Sequence, residues 1–99
     1  MSLLVNYTLK SADGHAAQID AMKDLVSNLT SEGVGVHYSC FETGDPTRFV
    51  GILEFDDDAG KQAFLDSAAF ATYRDRVGPT FANPPETTEV TAIASTRGV

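Results

Sequence analysis

The residues of this chain that could do chemistry are few, and their spacing removes most of the usual options. Cys40 is the only cysteine, and His15 and His37 are the only histidines. A tetrahedral metal site needs several such ligands to converge, but these three fall on separate segments and no two sit at helical i, i+4 spacing. No metal is expected. The acidic run "FDDDAGKQAF" lacks the spaced oxygen ligands and terminal Glu of a calcium loop, so it reads as a solvated helix cap. "GVG" at 33–35 has neither the spacing nor the following helix of a phosphate-binding loop, and "NLT" at 28–30 matches a glycosylation sequon only from inside a helix. Ser39 and His37 share a strand face, yet positions two apart on a strand are separated by about 7 Å, too far for a Ser–His couple. His15 reads as a surface residue in the first turn of a helix, and Cys40 as a small core hydrophobe.

What survives is a polar set on faces that should be inward. The stretch "FLDSAAFATYRDRV", residues 64–77, is amphipathic. At about 100° per residue, Ala63, Phe64, Ser67, Phe70, Ala71, Arg74 and Val77 share one arc, with Ser67 and Arg74 near its middle. Interior polar groups need partners. Ser67 and Arg74, taken with Asn6, His37 and Glu54 on three predicted strands, therefore form either a satisfied internal network or the polar lining of a ligand cavity. In the first case Arg74 pairs with Glu54 or a loop carbonyl while its stem covers the sheet edge. Both alternatives stand at this point.

The elements that must position these residues follow from periodicity. "LLVNYTLK", residues 3–10, alternates with Leu3, Val5, Tyr7 and Leu9 on one face, which predicts a strand. Ser11 or Asp13 is the expected N-cap of a helix over roughly 14–31, where Ile19, Met22, Leu25, Val26 and Leu29 recur at helical spacing before "EGVG". "VGVHYSCFE" and "RFVGILEF", joined by the turn chemistry of "TGDPT", predict a hairpin. Asp56, Asp57 and Asp58 are suited to cap a second helix, continuous to Val77, because carboxylates accept from its free N–H groups and favour its positive end. "GPTFANPPE" is a loop and "TTEVTAIAS" the last strand.

The order β-α-β-β-α-β is the split βαβ pattern: an α+β, ferredoxin-like fold with a four-stranded antiparallel sheet and two helices on one face. The third strand sets Phe49, Leu53 and Phe55 on one face and Val50 and Ile52 on the other. Helices cover only one face, so the second is expected to pack on an identical sheet in a homodimer. Ninety-nine residues with 42% hydrophobic content suit one domain, 1–99. With 14 acidic against 7 basic residues the net charge is −7, which disfavours nucleic acid as a partner. A single cysteine excludes an internal disulfide and points to a reducing compartment. The first residues lack a basic n-region and a long apolar run, so no signal peptide or membrane partner is expected and a cytoplasmic location is.

From the first strand through "GVHYSCFETGDPTRFVGILEFDDDAGKQAFLDSAAFATY" the chain resembles the antibiotic biosynthesis monooxygenase family. That family's pattern runs from a Gly and a Tyr, through a strand ending E-x-W, to a helix carrying H-x-x-S-x-H-F. Gly35, Tyr38, Glu54, Ser67 and Phe70 match it; Asp56 replaces the Trp, and Phe64 and Ala69 replace the two histidines. The resemblance implies a dimeric α/β barrel of ferredoxin-like subunits, a ligand held between helices and sheet, and oxidation of polycyclic or quinol substrates with no metal, flavin or other cofactor. It implies an anion-stabilising role for Arg74, with Asn6 and His37 orienting or deprotonating the substrate. Phe64, Phe70 and Tyr73 would form the aromatic wall, and Ser67 and Glu54 further substrate contacts. In the haem-degrading branch the positions of Asn6, Phe64 and Arg74 hold Asn, Trp and His; only the Asn is kept here, so no iron ligand and no haem degradation are implied. Two alternatives accompany this reading. One is a non-catalytic dimeric binding protein for a small apolar molecule, or a relative whose lost histidines mark lost catalysis; the other is a stress-response or isomerase-type relative of the same barrel superfamily in which His37 is the acid/base.

Overall fold

The computed structural model describes residues 2–97. The alternation at the start of the chain produces β1 (Ser2–Thr8), followed by α1 (His15–Glu32), β2 (Val36–Glu42), β3 (Arg48–Phe55), α2 (Asp58–Leu65), α3 (Ala68–Val77) and β4 (Glu86–Val90). The four strands form one antiparallel sheet in the order β2-β3-β1-β4. This is the ferredoxin-like arrangement expected from the order of elements.

Register decides which residues share a face. Val36, Tyr38 and Cys40 of β2 stand opposite Phe55, Leu53 and Gly51 of β3. Leu53, Gly51 and Phe49 in turn oppose Leu3, Val5 and Tyr7 of β1. These residues make the helix-covered face, and Val5, Tyr7, Phe49, Leu53 and Phe55 are all buried there. The other face carries Leu4, Asn6, Val50, Ile52, Ser39 and Phe41 in the intervening rows. No helix covers it.

α1 lays Gln18, Ala21, Met22, Leu25 and Leu29 into the core, the i, i+3, i+4 stripe of an amphipathic helix. It ends at Gly33, whose φ of 70° is a left-handed backbone that a Cβ would oppose. Its start differs from expectation. Gly14 occupies the N-cap, after a short 3-10 turn at Ala12–Gly14, and neither Ser11 nor Asp13 caps it through a side chain. The first turn is instead held by His15, which donates Nδ1–H to the Pro46 carbonyl at 2.7 Å and packs its ring 5.0 Å from that of Phe49. His15 therefore bridges α1 to the β2–β3 hairpin rather than lying free on the surface.

The second helical region is not continuous. Asp57 caps α2 as the acidic run predicted, its Oδ1 accepting from Gly60 N at 2.8 Å. Helix α2 stops at Leu65, and Ser67, with extended backbone (φ −67°, ψ 146°), begins a new one. Its Oγ accepts from Phe70 N at 3.1 Å and donates to the Phe64 carbonyl at 2.7 Å. A serine hydroxyl competes with the helical ladder for nearby backbone groups, and here it closes one helix and opens the next. The predicted single helix to Val77 is thus corrected to two.

The chain beyond α3 turns through a 3-10 segment at Gly78–Thr80. It is tied to the end of β1 by Lys10 N to Thr80 O at 2.9 Å and Ala82 N to Thr8 O at 2.8 Å. β4 is shorter than "TTEVTAIAS" suggested: pairing ends at Val90, and Ile93 is 97% exposed. Among the described residues, no helix is long and apolar enough to cross a membrane.

Candidate functional site

A cavity of about 560 Å³ lies between the helix-covered face of the sheet and α2 and α3. That is within the ~300–1,000 Å³ typical of small-molecule sites. β1 contributes Leu3, Val5 and Tyr7 to its floor and β3 contributes Leu53. The helices supply Phe64, Phe70 and Tyr73, and the loop after α3 closes the far side with Phe81, Pro84 and Pro85. Phe64 stacks 4.7 Å from Phe70 and 5.8 Å from Phe55, and Phe81 lies 5.7 Å from Tyr7. The lining is mostly apolar and aromatic.

The break at Ser67 determines how the helices present these rings. Because α3 starts afresh, its buried line is Ala69, Tyr73 and Val77, spaced four apart. Ser67 is buried, but as a cap satisfied by backbone. Arg74 is displaced from the middle of the buried face to its flank; it is exposed, yet it lines the cavity with its guanidinium carbon 5.4 Å from the Phe70 ring centroid. A guanidinium at that distance from a ring face makes a cation–π contact. Lys61 of α2 lines the same space. Arg76, by contrast, points to α1 and is paired with Asp24 at 2.6 Å.

The polar set expected to converge is divided by the sheet. Phe64, Phe70, Tyr73 and Arg74 are brought together at the cavity. Asn6, His37 and Glu54 are not: they lie on the opposite face, with His37 across from Glu54 and Asn6 across from Val50. The physical reason is period two. Asn6 neighbours Val5 and Tyr7, and Glu54 neighbours Leu53 and Phe55, so burial of those apolar residues turns Asn6 and Glu54 away; on β2, Val36 and Tyr38 take the helix side and turn His37 away. His37 and Glu54 are exposed and Asn6 is half-buried. The alternative of an Arg74–Glu54 ion pair is excluded by the same placement.

Tyr7 and Tyr73 of the cavity lining join Tyr38 and Gln18 in a polar cluster whose convergence the sequence did not reveal. Tyr7 Oη and Tyr38 Oη are 2.9 Å apart, and Gln18 Nε2 donates to Tyr73 Oη at 2.7 Å. Burial pushes all three tyrosines above the ordinary tyrosine range, and the proximity of the hydroxyls to one another adds to the effect on Tyr38 and Tyr73. They are neutral groups at physiological pH, able to donate but not to act as bases. Burial also pushes the Cys40 thiol up, which lowers its thiolate fraction. Gln18 could have been found: it falls on the same stripe as Met22, Leu25 and Leu29, the pattern that drew attention to Arg74. Nothing in the sequence distinguishes Lys61 from other surface lysines.

Among the described residues, no three His, Cys, Asp or Glu side chains are grouped to hold a metal ion. No family model and no curated sequence matches the chain. Solved structures do. A Nitrosomonas europaea protein assigned as an antibiotic biosynthesis monooxygenase is 22% identical, with 93% of this chain and 88% of that one covered at a TM-score of 0.80. A Caulobacter crescentus protein with the same assignment is 13% identical over 94% and 89%, at 0.82. SnoaB, a cofactor-independent oxygenase from Streptomyces nogalater solved as a point mutant, is 14% identical over 96% and 94%, at 0.75. Over nearly its whole length, this chain has the fold of the antibiotic biosynthesis monooxygenases.

Proposed function

We propose that this protein binds a small aromatic, quinol or polyketide-type molecule in the cavity and oxygenates it as a cofactor-independent monooxygenase. The observation that supports this most is the cavity itself: aromatic on the helix side, apolar on the sheet side, with the Arg74 guanidinium at its open flank. The fold shared with SnoaB is consistent with it. In such a reaction an activated CH₂ group and O₂ give a carbonyl and water, and the substrate supplies the electrons after losing a proton. The protein's part is to hold the resulting anion and limit water. Arg74 supplies positive potential to that anion, while Phe64, Phe70 and Tyr73 orient the ring system.

Oxygen uptake with a panel of phenols and hydroquinones, together with incorporation of an oxygen atom into the product, is the test. Wild-type protein should consume oxygen above the buffer rate, and Arg74→Ala should lower turnover by about tenfold or more, since fixed charge at a developing anion acts mainly on the transition state. Unchanged turnover in that variant would remove Arg74 from the mechanism. One observation favours a second reading, a non-catalytic binding protein: no imidazole or carboxylate lines the cavity among the described residues, so no general base stands there. Thermal stabilisation by a ligand that is recovered unchanged would support that alternative. In either case we propose a homodimer formed through the uncovered sheet face.

A further inference from the structure

We infer that the cavity takes an amphipathic organic acid, an apolar or aromatic body carrying one permanent anionic group such as a carboxylate or sulfonate, read by Lys61 and Arg74. This rests on the cavity being the ligand site, and it specifies the ligand's charge before any reaction occurs.

The charges around the cavity are of one sign. The chain has 14 Asp and Glu against 7 Lys and Arg, yet the residues lining the cavity include two cations, Lys61 and Arg74, and no carboxylate. Acidic residues are close in sequence: Asp57 and Asp58 begin α2, Asp66 follows it, and Asp75 adjoins Arg74. Glu89 faces Leu3 across the β1–β4 pairing. None of them lines the cavity. The described ion pairs engage Arg76 and His15, and neither Lys61 nor Arg74 has a carboxylate partner among the described residues. An acidic protein has thus placed two cations without an ion-pair partner at the edge of an apolar cavity, where they give its mouth a positive potential. The uncharged polar groups there are hydroxyls and an amide, with Tyr7 bonded to Tyr38 and Tyr73 accepting from Gln18, so Lys61 and Arg74 are the charged side chains a ligand would meet. The body of the ligand would lie against Phe64, Phe70 and Leu53, and its head group at the side where Arg74 is exposed.

The experiment compares two fluorescent probes with the same body, 8-anilinonaphthalene-1-sulfonate and its uncharged parent N-phenyl-1-naphthylamine. Wild-type protein should bind the sulfonate about tenfold more tightly at low salt, as two partly exposed ion pairs allow. Raising the salt should weaken only the sulfonate probe. Lys61→Gln and Arg74→Gln should each remove part of the preference, read as the ratio of the two affinities, and the double variant all of it. Arg74→Lys should retain it, which separates charge from the packing on Phe70. Equal affinity for both probes, or a preference that survives the double variant, overturns the acid-binding inference while leaving the cavity as a ligand site. Binding of neither probe overturns both.

Discussion

Gly51 shows how narrowly the buried hydroxyl cluster is fitted. A Cβ built there would lie 2.9 Å from Tyr38 Cε1, 3.2 Å from Tyr38 Oη and 3.2 Å from Tyr7 Cε2. The two rings meet over the glycine, so Gly51→Ala should displace them, break the 2.9 Å hydroxyl contact and cost about 1–3 kcal/mol in urea unfolding. A cost below about 0.5 kcal/mol would mean that the rings move freely. The cluster also sets an alkaline limit. Burial raises Tyr7, Tyr38 and Tyr73 above the unfolded value of about 10, so the folded chain holds their protons more tightly than the unfolded one. The stability this confers is fully present below about pH 10 and is lost as the pH rises further. Urea midpoints should be flat from pH 7 to 9 and fall at pH 11, with a smaller fall in Tyr38→Phe; an equal fall in both would contradict the assignment. These residues were partly legible in the sequence. The strand alternation put Tyr7 with Leu3 and Val5, but that a second tyrosine and Gln18 meet it required the register of three strands and the rotation of α1.

At the scale of elements, the cap at Ser67 decides the geometry of the site. A wheel drawn through residues 64–77 assumes one helix and makes Arg74 central; two helices with a reset at Ser67 make Tyr73 central and Arg74 marginal. The sequence contained the signal, since serine followed by apolar residues is an N-cap pattern, but an unbroken run of apolar spacing on both sides concealed it. Ser67→Ala should therefore cost about 1–2 kcal/mol, because it removes the acceptor for Phe70 N and the donor to the Phe64 carbonyl at a buried site. It should also weaken binding of an aromatic probe, since the cap fixes the Phe64–Phe70 separation of 4.7 Å. Ser67→Thr, which keeps the hydroxyl, should recover most of both losses. If Ser67→Ala binds the probe as tightly as wild type, the break in the helix has no bearing on the cavity.

For the whole molecule, the sequence was most informative about topology and least about which face each polar residue serves. The order of elements and the two apolar faces of β3 were enough to give a ferredoxin-like sheet with one covered and one uncovered side. The same two-sidedness misled the reading of the site, because Asn6, His37 and Glu54 share their face with apolar Leu4, Val50 and Ile52 and so looked interior. In the single chain those three apolar residues are only half-buried, and Phe41 at the rim is 48% exposed. An apolar centre ringed by Asn6, His37, Glu54 and Glu86 fits the homodimer proposed above, in which the same surface of a second copy would cover it. Wild-type protein at micromolar concentration should therefore sediment at twice the 10.6 kDa chain mass. Ile52→Glu places a charge at the centre of the proposed contact, on the face away from the helices, and should give single chains whose helix-side packing persists. Ile93→Glu, on the exposed segment after β4, should leave the dimer intact. A wild-type chain that sediments at one chain mass, or a dimer that survives Ile52→Glu, would show that the uncovered face is not the contact. Since the cavity lies on the other side of the sheet, probe binding by the Ile52→Glu monomer should change little, and a large loss would mean that assembly shapes the site.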